Sequence, residues 1–326
     1  MRGEFDLIAR YFAPLAGDQA GSFGLQNDAA VFQPPAGRAL VATLDTLVAG
    51  VHFLPEDPAD LVARKLLRVN LSDLAAMGAR PSGYLVALSL SRDAPDSWVE
   101  HFARGLKVDQ QEFRCHLLGG DTTGTPGPTT LSLTLLGDVA PGRALGRGPA
   151  RAGDAIFVSG TVGDAALGLK SLREGIQSLA EQHAAYLAER YRLPRPRIEL
   201  GARLAVEGLA TAAIDVSDGL AADLNHMCEV SALGAEVEAA AVPLSPAAKA
   251  ALDENGELLE EIFSGGDDYE LLFTVPPEAV EAVEALSREL DCPVTRIGRM
   301  RADAGVVLRD ERGEPIALKR GGWTHF

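Results

Sequence analysis

Aspartates recur beside glycine, serine or threonine at or near the ends of apolar runs in this sequence. An aspartate in such a place is often only a turn former or a helix cap, and this interpretation suits any single instance. The repetition along the chain instead indicates a site built from carboxylates. The strings are NDAAV with Asp28, TLDTL with Asp45, NLSDLAAMGA with Asp73, GGDTT with Asp121, SGTVGD with Asp164, IDVSDGL with Asp215 and Asp218, and SGGDDYELLF with Asp267 and Asp268.

Asp73 lies on what should be the buried face of a helix. Helical spacing places it on one stripe with Val62, Leu66, Val69 and Met77. An ionised carboxylate there is costly unless a cation, a metal or several donors compensate it, and few basic residues occur near these strings. Ligands limited to oxygen favour a hard ion, Mg²⁺ ahead of Ca²⁺ or Mn²⁺. The alternative is a buried carboxylate that backbone amides satisfy.

The string IDVSDGLAADL predicts a strand that runs directly into a helix. Asp215 ends the strand, Ser217 is expected to cap the helix, and Asp218 would emerge beside Asp215 at the edge of the sheet. Open α/β sheets bind ligands at this edge, and helix N-termini there favour phosphate. A capped helix with a solvent-facing Asp218 is the alternative. The predicted apolar stripe of the helix is Leu220, Leu224 and Met227.

Several standard signatures are absent from the sequence. It has no phosphate-binding loop ending in GK[ST], no protein-kinase signature, no spaced dinucleotide fingerprint and no GxSxG elbow. Paired glycines beside the acids, as in Gly119-Gly120-Asp121, would let the backbone approach a ligand or would simply form tight turns.

A few other side chains are candidates for ligand contact. Arg143, Arg147 and Arg151 could clamp phosphate oxygens or could belong to a solvated basic loop. His52, in AGVHF, and Trp323, in the terminal GGWTHF, could contact a ligand or could be structural.

Short apolar runs alternate with helical patterns, which is typical of an α/β or α+β protein. A segment over 137–153, rich in Gly, Pro and Arg, predicts a boundary between domains 1–148 and 149–326. A helix is expected from Asp57 and Pro58 to about Gly78. Strands are predicted over 38–46, 83–91, 114–118, 129–139, 155–159, 212–216, 235–240, 269–275, 294–298 and 305–308.

Composition excludes several classes of protein. The chain has 326 residues, 47% of them hydrophobic, with a net charge of −16 that argues against a nucleic-acid partner. Cys115, Cys228 and Cys292 are too far apart for a disulfide framework or a zinc site. No signal peptide and no membrane-spanning run is found, so a cytoplasmic protein without a membrane partner is expected.

The assembled strings resemble those of the thiamine-monophosphate kinase family. They are GEFDLIARYF, DTLVAGVHF, NLSDLAAMGARP, GGDTT, IDVSDGL, SGGDDYELLFT and GGWTHF, and they cover nearly the whole chain in order. The resemblance implies a fold like that of the aminoimidazole ribonucleotide synthetase superfamily. In that fold the sheet of the α/β N-terminal domain pairs across a homodimer, and an α/β C-terminal domain follows.

The resemblance also implies that ATP phosphorylates thiamine phosphate to thiamine diphosphate, with several Mg²⁺ ions required. We expect a direct in-line transfer that these ions assist and that needs no general acid or base. By the family pattern, the metal ligands are Asp28, Thr43, Asp45, Asp73, Asp121, Asp215 and Asp218. The ATP contacts are Gly120, Asp121, Arg147 and Ser217, and the contacts to thiamine phosphate are His52, Asp267 and Trp323.

The chain departs from the family pattern at three positions. Asn27 stands where a second Asp is usual, Leu44 replaces a frequent hydroxyl residue, and Asp267 replaces a frequent Glu. The first two changes predict an altered metal affinity with the activity retained.

Two alternatives stay open: another ATP-using enzyme of the superfamily, and a non-catalytic module that binds nucleotides or divalent cations. The first is disfavoured because the first cysteine of the sequence is Cys115 and the last residue is Phe326. Reactive cysteines near the N-terminus or at the C-terminus are typical of two of these relatives.

Overall fold

The computed structural model describes residues 4–17, 19–318 and 322, so the predicted substrate contact Trp323 lies outside the described residues. The chain divides into two compact units. Unit 1 consists of Met1–Leu74 and Ala79–Pro141, and unit 2 consists of Ala75–Gly78 and Gly142–Phe326. The domain boundary between residues 148 and 149 stays a prediction.

Unit 1 begins with short helical segments. Helices α1 (Glu4–Leu7) and α2 (Ala13–Ala16) flank a π-helical stretch, Ile8–Phe12, and a 3₁₀ stretch, Ala20–Leu25, follows. The longer elements are β1 (Ala39–Val48), α3 (Ala59–Ala76), β2 (Arg80–Ser91), α4 (Asp96–Glu112), β3 (His116–Thr125) and β4 (Thr130–Val139).

The sheet of unit 1 has four strands in the order β1-β4-β2-β3. Strand β4 is antiparallel to β1 and β2, and β3 is parallel to β2. One face packs on α3 and α4, where the alternate side chains of β4 are fully buried. The opposite face, called the open face below, carries Leu40, Leu44 and Leu85, which are 49%, 61% and 37% exposed, and Phe12 and Leu25 of the N-terminal segments lie beside it.

Unit 2 contains the remaining helices and strands. In chain order they are β5 (Ala155–Ser159), α5 (Asp164–Glu174), α6 (Glu181–Arg192), α7 (Ile198–Glu207), β6 (Ala212–Asp215), α8 (Leu220–Ser231), β7 (Gly234–Glu238), α9 (Pro246–Glu254), α10 (Leu258–Ser264), β8 (Leu271–Val275), α11 (Val280–Glu289), β9 (Val294–Arg301), β10 (Gly305–Arg309) and β11 (Pro315–Ile316). Short 3₁₀ stretches, Ala239–Ala241 and Pro277–Ala279, precede α9 and α11.

The seven strands of unit 2 form one sheet in the order β11-β10-β7-β9-β5-β8-β6. Helix α8 packs on this sheet through Leu220, Leu224 and Met227, which confirms the predicted stripe. A second apolar cluster joins α5, α6, α9 and α10. Each unit therefore has a core of its own.

The mixed α/β fold class is confirmed, and most of the predicted strands are present. The prediction for β3 was wrong, because the strand continues through GGDTT to Thr125 and does not end at Leu118. A Cβ atom on Gly120 would lie 2.0 Å from the carbonyl oxygen of Val86, so glycine is required for this close strand pairing. None of the described helices is long and apolar enough to cross a bilayer.

Candidate functional site

The first group of predicted site residues lies between β1 and α3 in unit 1. Thr43 and Asp45 are two residues apart on β1 and share the face toward α3. The hydroxyl of Thr43 donates a short hydrogen bond to Oδ2 of Asp73, and the amide of Asp45 donates to Oδ1 of Asn70 at 3.2 Å. Asp73 is half-buried, and the hydroxyl of Thr43 supplies one of its hydrogen bonds.

The second group in unit 1 lies on the open face of the sheet. Asp28 and Asp121 are exposed and line a cavity of about 530 Å³, together with Asn27, Leu44 and Gly120. Asp121 pairs in register with Ala87 of β2, which fixes its side chain on this face. The structure thus places the predicted ligands of unit 1 in two groups on opposite faces of the sheet.

His52 lies in a tight segment between β1 and α3. The amide of Val48 donates to its Nδ1 at 3.0 Å, so the neutral ring carries its hydrogen on Nε2. Lys65, only 2% exposed, donates from Nζ to the carbonyl oxygen of His52 at 3.0 Å. The orientation and tautomer of His52 are therefore set by the fold.

Asp215 and Asp218 in unit 2 have a third carboxylate beside them, Asp223 of α8. Burial, followed by the charges of Asp215 and Asp218, raises the pKa of Asp223 to about 8. Asp223 accepts hydrogen bonds from the amides of Asp218 and Gly219 at 3.0 and 3.1 Å. It thereby caps α8, so the prediction that Ser217 caps this helix was wrong.

Asp267 lies in the segment between α10 and β8, which pairs with the segment before α8. The amide of Asp267 donates to the carbonyl oxygen of Ser217 at 2.8 Å. Asp267 is half-buried, whereas its neighbour Asp268 is fully buried and accepts from the amides of Gly163 and Ala165 at 2.5 and 3.1 Å. Ser217, Asp218 and Asp267 are thus brought close together within unit 2.

The remaining predicted contact in unit 2 is Arg147, which is exposed in the segment before β5. Its neighbour Gly146 accepts a hydrogen bond from the amide of Ala213 on β6 at 2.8 Å. The backbone beside Arg147 is therefore anchored to the edge of the sheet, two residues before Asp215.

The described side chains have the chemistry that a hard cation requires, although they form no closed metal site. Within the described part of the chain, no three His, Cys, Asp or Glu side chains are grouped closely enough to hold an ion. The donors at Thr43, Asp73, Asp215 and Asp218 are all oxygens, which suit Mg²⁺. Mutual repulsion among the carboxylates near Asp223 is the kind of strain that a cation relieves.

Two family models match the chain. The AIR synthase related protein N-terminal domain matches residues 26–139, and the corresponding C-terminal domain matches residues 151–311. Fold and site together define a two-domain protein of this class. A structure of the hydrogenase maturation protein HypE in complex with ATP has the same fold, with a TM-score of 0.79 at 23% identity over 98% of this chain and 95% of that one.

More similar proteins define the family within this class. The thiamine-monophosphate kinases of Salmonella typhimurium and Escherichia coli are each 43% identical over 99% of this chain and 98% of their own length. The crystal structure of thiamine-monophosphate kinase from Stenotrophomonas maltophilia is 43% identical and covers 90% of this chain and 91% of that one, with a TM-score of 0.81. AaThiL complexed with AMPPCP and TMP is 33% identical over 100% and 99%, with a TM-score of 0.79. The chain belongs to the thiamine-monophosphate kinase family.

Sequence reasoning missed two features of unit 2. Asp223 is the fourth residue of α8 and lies one position beyond the capping-box spacing from Gly219, so no standard motif marks it. Glu270 was not singled out, although it is fully buried and accepts hydrogen bonds from Arg190 and Arg197. Those arginines are more than 70 positions away in sequence, so no local pattern could have found them.

Proposed function

We propose that the protein transfers the γ-phosphoryl group of ATP to thiamine phosphate and releases thiamine diphosphate and ADP. The observation that carries this proposal is the similarity to AaThiL, whose structure contains AMPPCP and TMP, over the whole of both chains. AMPPCP is an analogue of ATP, so that relative binds an ATP analogue and a thiamine phosphate in one complex.

ATP is proposed to contact Gly120, Asp121, Arg147 and Ser217. Gly120 lines the cavity of the open face beside Asp121. The exposed guanidinium of Arg147 can pair with phosphate oxygens through two parallel hydrogen bonds. The Ser217 hydroxyl lies beside Asp218 in the segment that leads into α8.

Mg²⁺ would be held by the oxygen atoms of the family's ligand positions: Asp28, Thr43, Asp45, Asp73 and Asp121 in unit 1, with Asp215 and Asp218 in unit 2. When bound, the ions supply positive charge that offsets the charge of the phosphates in a protein of net charge −16 and aligns the reacting groups. The chain's part is to fix the carboxylates, as Thr43 does for Asp73.

The transfer is proposed to be direct and in line, without a general base. The second pKa of a phosphate monoester is about 6, so the acceptor oxygen is already anionic at neutral pH. Cys115, Cys228 and Cys292 are all buried, and burial raises the pKa of each thiol, which makes them poor nucleophiles. A covalent phosphoprotein trapped during turnover would contradict a direct transfer.

Thiamine phosphate is proposed to contact His52, Asp267 and Trp323. Because Nδ1 of His52 accepts from Val48, the ring presents a hydrogen-bond donor at Nε2. Such a donor suits a phosphate oxygen, whereas the carboxylate of Asp267 suits the cationic thiazolium end of the molecule. Asp267 is one methylene shorter than the glutamate frequent in the family, so its reach differs.

The open face of unit 1 is proposed to pair with a second copy of the chain. Three leucines on this face, Leu40, Leu44 and Leu85, are exposed in a single copy, and contiguous exposed apolar surface is typical of an interface. Leu44→Arg should convert the dimer to a monomer in analytical ultracentrifugation. A wild-type protein that sediments as a monomer at micromolar concentration would refute this pairing.

The protein is proposed to act in the cytoplasm. Its three cysteines are all free and buried, as expected in a reducing compartment.

The test is to incubate the pure protein with ATP, Mg²⁺ and thiamine phosphate and to separate the products by chromatography. Thiamine diphosphate that forms only in the absence of a chelator is the expected result. ADP without thiamine diphosphate would move the acceptor to another substrate of the superfamily. No nucleotide turnover at all would favour a non-catalytic binding module.

A further inference from the structure

Two residues in the acidic segment between α10 and β8 have a left-handed backbone. Asp267 has φ of +74° and Tyr269 has φ of +52°. This region is unfavourable for residues with a side chain, and it persists only where the surrounding structure enforces it. The conformation turns Asp267, a proposed contact to thiamine phosphate, in a direction that ordinary extended backbone would not give.

Backbone hydrogen bonds hold this segment against the residues that precede α8. The amide of Tyr269 donates to the carbonyl oxygen of Val216 at 2.8 Å. The amide of Val216 donates to the carbonyl oxygen of Glu270, also at 2.8 Å. A Cβ atom on Gly266 would lie 2.1 Å from the carbonyl oxygen of Ser217, so the two segments approach as closely as glycine permits.

Side-chain anchors alternate with the two left-handed residues. Asp268 is 1% exposed and is bound by the amides at the N-terminus of α5. Glu270 is 0% exposed and accepts from the hydroxyl of Ser159 at 2.6 Å and from Nη2 of Arg190 at 2.9 Å. It also accepts from Nε and Nη2 of Arg197 at 2.6 and 2.7 Å.

The hydrogen bonds to Ser159, Arg190 and Arg197 fix the side chain of Glu270. A buried carboxylate that faces two guanidinium groups cannot rotate away without breaking its charge-assisted hydrogen bonds to both cations. Nε and Nη1 of Arg190 are buried without a hydrogen-bond partner among the described residues, and Nε lies 3.9 Å from Oδ2 of Asp164, so the 2.9 Å contact with Glu270 is the shorter of its two ion pairs. The end of the segment is therefore anchored to α6 and to the start of α7.

We propose, on the basis of the function proposed above, that Glu270 is a positioning residue for thiamine phosphate. The Arg190–Glu270–Arg197 cluster fixes the end of the segment and thereby keeps Asp267 in its left-handed conformation. Glu270 is buried and does not contact the substrate; it acts through Asp267. Weakening the cluster should therefore raise the KM for thiamine phosphate more than the KM for ATP.

The test variant is Glu270→Gln, which keeps the size of the side chain and removes its charge. The matched control is Asp109→Asn in unit 1, since Asp109 is also 0% exposed and is bound by two arginines, Arg64 at 2.7 Å and Arg68 at 2.6 Å. Both variants should unfold at a lower temperature than the wild type, so thermal unfolding alone does not distinguish them.

Steady-state kinetics separate positioning from stability. Glu270→Gln should raise the KM for thiamine phosphate about tenfold and change the KM for ATP by less than about twofold. Asp109→Asn should leave both KM values within about twofold of the wild type. Equal changes in the two KM values of Glu270→Gln, or the same pattern in Asp109→Asn, would overturn the positioning role.

A double-mutant cycle tests whether Glu270 acts through Asp267. Asp267→Asn should raise the KM for thiamine phosphate, and adding Glu270→Gln should raise it by less than about a further twofold. Independent multiplication of the two effects would show that Glu270 does not act through Asp267, and the proposal would fail.

Hydrogen exchange tests the geometry without any turnover. The amides of Asp267 and Tyr269 should exchange about tenfold faster in Glu270→Gln, and at the wild-type rate in Asp109→Asn. Unchanged exchange in Glu270→Gln would overturn the positioning role even if the enzyme is active. If the wild-type protein makes no thiamine diphosphate, the proposed function is refuted. Faster exchange in Glu270→Gln would then still support the anchoring of the segment.

Discussion

The acidic residues around α8 and β8 in unit 2 and those on the open face of unit 1 are satisfied in different ways. In unit 2, Asp223, Asp268 and Glu270 are buried, and each accepts hydrogen bonds from backbone amides or from arginines. In unit 1, Asp28 and Asp121 are exposed on the open face. A fully buried carboxylate whose donors come from the protein is part of the fold, whereas a carboxylate that is half-buried or exposed is available to a ligand.

Substitution of Asp73 should have the largest effect on activity. It also tests whether a half-buried carboxylate of unit 1 serves a ligand or the fold. Asp73→Asn keeps an oxygen for the hydroxyl of Thr43 but removes the charge, so we expect kcat for thiamine diphosphate formation to fall about a hundredfold or more. The melting temperature should change little, because Asp73 is only half-buried. Chromatographic assays and thermal unfolding measure the two effects.

The control is Asp60→Asn, in the first turn of the same helix, which should retain activity within about twofold. An Asp73→Asn enzyme with wild-type turnover would mean that Asp73 is structural, like Asp268 and Glu270 of unit 2.

The buried carboxyl group of Asp268 in unit 2 should make the stability of the protein depend on pH. Burial, followed by the charge of Asp164, raises the pKa of Asp268 to about 8, whereas the unfolded chain releases this proton near pH 4. The native state therefore binds one more proton between these values, and the free energy of unfolding should fall as pH rises from about 4 to 8.

Asp268→Asn should remove this slope, which amounts to on the order of a few kcal/mol across the window. Urea unfolding followed by circular dichroism at several pH values measures it, with the exposed Asp253→Asn as the control that keeps the slope. Parallel pH profiles for the wild type and Asp268→Asn would contradict the raised pKa.

Asn27 should give the smallest effect. It is exposed beside Asp28 and lines the cavity of the open face, so Asn27→Asp would add one carboxylate near a proposed metal ligand. The Mg²⁺ concentration for half-maximal activity should fall about threefold, because an exposed charge contributes little. An unchanged Mg²⁺ requirement would exclude a direct or nearby role for this position in metal binding.

The local sequence predicted the helices and strands in which one buried face sets the spacing of the apolar residues. Strand β4 alternates buried and half-buried residues, and its predicted span, 129–139, differs from Thr130–Val139 by one residue. Strand β3 was shortened in the prediction because its second half, GGDTT, is polar and rich in glycine. Its pairing with β2, where Gly120 lies against the backbone of Val86, is what extends it.

The residues of the candidate site were predicted one by one from the sequence. Their arrangement in space was not predicted. The carboxylates and the two acidic segments of unit 2 follow from motifs in the sequence. That Asp45 faces α3 while Asp121 lies on the open face depends on strand register, which distant strands set.

The sequence by itself determined the α/β class, the elements with one buried face and the carboxylates that mark a cation and phosphate site. These properties depend on periodicity and on side-chain chemistry, which neighbouring residues carry. Only the tertiary structure decided that Arg190 and Arg197 hold Glu270. Such contacts join residues far apart in the chain, and burial gives them their strength because water no longer competes for the charged groups.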